Sequence, residues 1–142
     1  MAQLTPYVFF DGNCREAMAF YKECLGAELT MTAVGDTPAA EHMPPDAKQK
    51  IMHAALTRGE PKEAVLMASD WMGRAGFVQG NSISLSLHCT SDGEIKTIFG
   101  SLSSGGRVTQ PLADQFWGAT FGTLVDRFGI AWMLNYDKTP AK

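Results

Sequence analysis

Several things are scarce in this 142-residue chain. No apolar run approaches the roughly 20 residues that a bilayer-spanning helix requires, so no segment qualifies as one. Basic residues are not in excess: 12 Lys and Arg stand against 15 Asp and Glu, for a net charge of -3. That balance excludes the basic stripe by which generic nucleic-acid binders hold phosphates. Cysteine is limited to Cys14, Cys24 and Cys89, an odd set with no CxxC pair. A disulfide framework wants a denser, even set, so reduced thiols are expected. No GxGxxG turn is present either, which removes the dinucleotide fingerprint. The opening MAQLTPYVFF has no basic region before its apolar residues. A signal peptide would have one, and the expected location is therefore cytoplasmic. Nucleic acid and membrane are not expected partners.

What is present fits one domain, since domains of about 100–150 residues close a single core. Residues 4–10 are rich in aromatic and β-branched residues and end at Asp11-Gly12-Asn13, which reads as a strand and a turn. Asn13 or Asp11 can cap the helix that follows, with Glu16 reaching back. Ala17, Phe20, Tyr21, Cys24 and Leu25 recur at helical spacing, and Gly26 stops the helix. Cys14 falls near the helix start, where the dipole can lower a thiol pKa. No His lies close to it in sequence, and a buried small hydrophobe is the reading taken. Strands are expected at 27–34, 50–58 and 64–69, with a proline-bearing loop at 35–48 and a linker, WMGRAGFVQGN, at 71–81.

The second half repeats that order. Residues 82–89 alternate strictly, Asp92-Gly93 opens a helix, Gly105-Gly106 closes it, and strands near 107–110, 119–125 and 130–136 follow. At a separation of 79, Phe20 meets Phe99, Gly26 meets Gly105 and Thr30 meets Thr109. The expected architecture is α+β: two paired βαβββ modules, about 1–72 and about 80–138, within a single domain spanning 1–142. Their curved, mostly antiparallel sheets are expected to enclose a cavity. Strand faces turned to that cavity can be mixed in character, while those under the helices must be apolar. Ser84, Ser86 and His88 oppose Ile83, Leu85 and Leu87 in this way, and Met133 and Asn135 oppose Ile130, Trp132 and Leu134. Ile51, His53, Ala55 and Thr57 form the mixed face of the third strand, with Met67 and Ser69 on the fourth.

The segments FFDGNCREAMAFYKECLG, IMHAAL, LMASD, GNSISLSL and FWGATFGTLVDRFGIAWML, in that order, resemble the PhnB-like branch of the glyoxalase/bleomycin resistance/dioxygenase superfamily. That superfamily is also called vicinal oxygen chelate. The resemblance covers residues 4–136 and implies paired βαβββ modules and, by common habit of the superfamily, a homodimer. Its metal-dependent members hold a divalent ion with His, Gln or Glu side chains. Carried onto this chain, those positions fall at Pro6 or Tyr7, at or near Met67, at Ser84 or Leu85, and at Met133. None suits a hard or borderline divalent metal, so no metal and no cofactor are expected. Branch members are often labelled as 3-demethylubiquinone 3-methyltransferases. Single glycines before each helix, Gly12 and Gly93, do not make the glycine-rich turn of such a cofactor site.

The expected partner is a small organic molecule. Candidate ligand-binding residues are Tyr7, Phe9, Met67, Ser69, Ser84, Ser86, Trp117, Phe121, Met133 and Asn135. Trp71 and Phe116 also follow strand ends, where aromatic rings can line a pocket or pack in a core. An enzyme is the alternative: isomerase, lyase or transferase chemistry with His53 or His88 as general base and Asp70 as its orienter. A metal site improvised from His53, Asp70 and His88 is a further alternative, and a ligand-free structural dimer is another. His42 and Glu41 read as a solvated pair.

Overall fold

The computed structural model describes residues 2–73 and 76–138. Arg74 and Ala75, within the expected linker, lie outside the described residues. The chain forms two compact units, Met1–Val78 and Gln79–Lys142. Each has the same order of elements and is described by itself.

The first unit runs β1 (Tyr7–Phe10), α1 (Cys14–Leu25), β2 (Glu28–Ala33), β3 (Ile51–Arg58) and β4 (Glu63–Asp70). Its sheet has the order β1-β4-β3-β2, with β1 parallel to β4 and the other pairs antiparallel. Helix α1 packs over β2, β3 and β4. It buries Cys14, Ala17, Met18, Tyr21 and Leu25, against Phe10, Ala54, Leu56, Leu66 and Ala68 of the strands. Phe20 and Cys24, expected within the stripe, are only half-buried at its edge, and Met18 takes the central place. Gly26 ends the helix with φ 62°, the left-handed conformation in which a glycine is least strained. The segment 34–49 contains three short 3-10 turns rather than featureless loop. Glu41 and His42 are exposed within it.

The expected side-chain cap of α1 is absent. Asn13 occupies the N-cap position but makes no cap hydrogen bond. At the same helix end Cys14 N donates to Asp70 Oδ1 at 2.9 Å, so a carboxylate from the end of β4 satisfies the first helical amide. Ile51 departs from expectation as well. It is 1% exposed in the core, where its N–H donates to Asp70 Oδ2 at 2.8 Å.

The second unit runs β5 (Ser84–Cys89), α2 (Asp92–Ser103), β6 (Arg107–Asp114), β7 (Ala119–Val125) and β8 (Ala131–Asp137). The sheet order β5-β8-β7-β6 repeats the first, with β5 parallel to β8. Helix α2 opens at Asp92 as expected, and Ser91 caps it: its side chain accepts from Glu94 N, and Glu94 Oε1 accepts from Thr90 N at 2.8 Å. This is a capping-box exchange shifted by one residue. Strand β6 runs on to Asp114 rather than stopping near 110. It can do so through Pro111 because it is an edge strand, where a missing N–H costs no ladder bond. Ile95, Ile98, Phe99 and Leu102 of α2 are buried, as are Leu124, Trp132 and Leu134 of the sheet. Phe99 reaches the sheet at Gly122, where an added Cβ would lie 2.9 Å from its ring.

Candidate functional site

Alternation fixes which side chains each sheet turns away from its helix. In the first unit the pairing brings Tyr7 level with Met67 and Phe9 level with Ser69 across β1 and β4. Ala55 pairs with Met67, and Thr32 with His53. The open face therefore carries Tyr7, Phe9, Thr30, Thr32, His53, Ala55, Met67 and Ser69. Tyr7 is 39% exposed and Phe9 44%. His53 is exposed, Met67 half-buried and Ser69 buried.

Two of these residues, 46 positions apart in sequence, touch. Tyr7 Oη and His53 Nδ1 are 3.2 Å apart, and their ring centroids 5.7 Å apart. From Tyr7 a chain of rings continues outward. Tyr7 and Phe9 lie 5.2 Å apart at 40°, Phe9 meets Trp71 edge-on at 5.5 Å and 83°, and Trp71 meets Phe77 at 6.4 Å. Such tilted and edge-on pairs are the favoured aromatic geometries. Sequence reasoning missed Phe77, which lies in an irregular segment with no periodicity to mark it. It also missed Thr30 and Thr32, although the alternation of ELTMTA carried that signal.

The second unit has a face of related content. Ser84 pairs with Ala131, Ser86 with Met133 and His88 with Asn135. Phe121 pairs with Asn135 and Thr123 with Met133. Ser84, Ser86 and His88 are exposed, and Phe121, Met133 and Asn135 are half-buried. Trp117, 50% exposed, stacks edge-on with Phe121 at 5.9 Å and with Phe116 at 5.1 Å. Asn135 donates to Asp137 Oδ1 at 2.9 Å. Aligning the units on Met67 and Met133 equates Tyr7 with Ser86 and Phe9 with His88, at the same separation of 79. The same alignment sets His53 against Phe121. Histidine and aromatic ring have exchanged strands between the two copies.

Asp70 stands apart from both histidines' chemistry. It is 2% exposed, lies on the helix side of its sheet, and both carboxylate oxygens accept backbone N–H groups. The group that meets His53 is the Tyr7 hydroxyl, not this carboxylate. Asp126 does the equivalent work in the second unit. Its Oδ1 accepts from Phe128 N at 2.8 Å and Ile130 N at 3.1 Å, and its Oδ2 from Trp132 Nε1 at 2.8 Å. The link from Asp126 to Trp132 was not legible in the sequence. Cys14, beside Asp70, has its thiol pKa pushed up to about 12, first by burial and then by the Asp70 charge. The helix dipole does not make it a reactive thiolate.

The donors offered at the superfamily's metal positions are a phenol, thioethers and a serine hydroxyl or an alkyl chain. Tyr7 and Met67 are neighbours in register, whereas Ser84 pairs with Ala131 and Leu85 with Trp132, so neither lies level with Met133. Thioethers select soft ions, and hard or borderline divalent metals want carboxylate or imidazole. Among the described residues, no group of three or more His, Cys, Asp or Glu side chains is placed to hold a metal ion. The chemistry of the donor set does not fit the superfamily's divalent ion. Among the described residues no helix is long and apolar enough to cross a membrane.

The profile of the 3-demethylubiquinone-9 3-methyltransferase family matches residues 2–135. Protein PA1353 from Pseudomonas aeruginosa is 43% identical and superposes with a TM-score of 0.84, over 96% of this chain and 98% of its own. Protein YjdN from Escherichia coli K12 is 32% identical over 95% of both chains. The putative 3-demethylubiquinone-9 3-methyltransferase, PhnB protein, from Bacillus cereus is 25% identical, with a TM-score of 0.74 over 95% of this chain and 99% of its own. The fold is also that of more distant glyoxalase/bleomycin resistance/dioxygenase proteins. With two βαβββ units and a profile match along nearly its whole length, the chain belongs to the 3-demethylubiquinone-9 3-methyltransferase family, in the fold it shares with glyoxalase/bleomycin resistance/dioxygenase proteins.

Proposed function

We propose that the protein binds a small organic molecule on the open face of its first sheet, without the divalent metal of its superfamily. One observation carries this reading. The Tyr7–His53 hydrogen bond places two polar groups beside exposed rings, on a sheet face whose metal position holds Met67. A few oriented polar groups within an apolar surface are the usual composition of a ligand site. Methionine adds a soft, adaptable surface beside them.

The methyl transfer in the family's name is not part of the proposal. Each sheet has a single parallel pair and two antiparallel ones. The doubly wound parallel sheet that holds a nucleotide-like cofactor at its strand ends is a different arrangement. A second reading follows from the same hydrogen bond. In the tautomer whose Nδ1–H donates to Tyr7 Oη, His53 presents Nε2 as an acceptor and would serve as general base toward a bound substrate. Fragment binding followed by thermal shift, alongside elemental analysis of the purified protein, tests the first reading. Fragments should raise the melting temperature in metal-free protein. Stoichiometric Zn, Mn, Ni or Fe would overturn it. Turnover of a bound fragment that is lost in His53→Gln, with binding kept, would establish the second.

A further inference from the structure

Resting on that binding reading, we propose that the first unit's open face selects flat aromatic molecules carrying a hydroxyl or carbonyl group on the ring edge. The chain of rings Tyr7, Phe9, Trp71 and Phe77 has consecutive centroids 5.2, 5.5 and 6.4 Å apart. None of the consecutive contacts is a face-to-face sandwich, and the middle one is edge-on at 83°. A further flat ring can join such an array by the same edge-to-face attraction, which a saturated ring of equal outline lacks. Aromatic side chains hold this arrangement with few rotatable bonds, so little entropy is lost on binding.

At the Tyr7 end the array stops at a polar pair. Tyr7 and His53 bond to each other through Oη and Nδ1. The phenol oxygen and the Nε2 of the imidazole each retain hydrogen-bonding capacity of their own. An acceptor or hydroxyl on the edge of a ligand lying along the rings would meet them. The register-equivalent positions of the second unit argue for selectivity rather than a generic property of the fold. There Ser86 and His88 replace Tyr7 and Phe9, so the aromatic platform at this place belongs to one copy alone.

Three related probes test this by titration calorimetry on the full chain: 2-naphthol, 2-methylnaphthalene and decahydro-2-naphthol. The proposal expects 2-naphthol to bind most tightly. Loss of aromaticity in decahydro-2-naphthol, or of the Phe9 ring in Phe9→Leu, should weaken binding about two- to tenfold. Tyr7→Phe keeps the ring and guards against a folding artefact. It should weaken 2-naphthol while leaving 2-methylnaphthalene, which has no polar group, nearly unchanged. Equal binding of the saturated and aromatic alcohols, with neither substitution having an effect, overturns the aromatic selection. If aliphatic fragments from a mixed library then bind and shift Tyr7 and His53 resonances, the binding reading stands without it. If no fragment of any class shifts those resonances, both fall.

Discussion

Replacing Asp70 by Asn isolates the contact that joins three elements of the first unit. The carboxylate, 2% exposed, accepts from Cys14 N at the start of α1 and from Ile51 N at the start of β3, while sitting at the end of β4. A hydrogen bond to a charged acceptor contributes about 1.5–3 kcal/mol, and a buried donor left unpaired adds its own desolvation cost. Asn keeps one carbonyl acceptor but turns an NH2 group toward the second backbone N–H. One bond is lost and the other becomes neutral, so the substitution should cost about 2–4 kcal/mol. Whole-domain stability is only about 5–15 kcal/mol. In a urea titration with a slope of about 2 kcal/mol/M, the unfolding midpoint of the first unit falls by about 1–2 M. Trp71 lies in that unit and Trp117 and Trp132 in the other, so Trp71 fluorescence is the signal to follow, with Trp117 and Trp132 changed to Phe. Amide exchange at Cys14 and Ile51 should accelerate together. A midpoint shift below about 0.3 M, or faster exchange at only one amide, would refute the clamp.

Other outcomes follow from the same geometry. The Cys14 thiol holds its proton to about pH 12 in the folded chain against an ordinary 9.0. Its contribution to stability is therefore intact below pH 9 and lost as pH rises from 9 toward 12, amounting to about 1.4 kcal/mol by pH 10; chemical denaturation at pH 8 and 10 should show this slope and Cys14→Ala should flatten it. Ser91→Ala removes the cap that Glu94 N donates to and should cost about 1 kcal/mol in thermal unfolding. Gly122→Ala would put a Cβ 2.9 Å from Leu112 and Phe99 and 3.0 Å from the Gln110 carbonyl. It should destabilise by about 1–3 kcal/mol, read by calorimetric melting.

The order of elements was legible because it rests on local signals. Helical spacing in 17–25, the αL glycine at 26 and strict alternation in 84–88 each act within a few residues. So was the polar row Ser84, Ser86 and His88, since alternation alone puts it on the face away from Leu85 and Leu87. Contacts between distant segments were not legible. Asp70 meets Cys14 across 56 positions, a partner for the first helical amide that no local pattern announces. Tyr7 meets His53 across 46 positions. Tyr7 was a candidate through the resemblance and His53 through strand alternation, but only the β1-β4-β3 order makes them partners. Phe77 had no pattern to reveal it, because its role comes from the Trp71 ring it meets. The exchange of histidine and aromatic positions between the copies emerged only from the strand register.

The central claim is that ligands settle on the first unit's open face beside Tyr7 and His53, where Met67 stands in the metal position. Carbon-13 NMR of methionine methyl groups during a 2-naphthol titration tests it most directly. Met67 lies on that face and is half-buried, whereas Met18 is 0% exposed in the helix-packed core and serves as the internal control. The account predicts a saturable shift of the Met67 methyl resonance with Met18 unmoved. Saturable binding that leaves the Met67 resonance in place would contradict it.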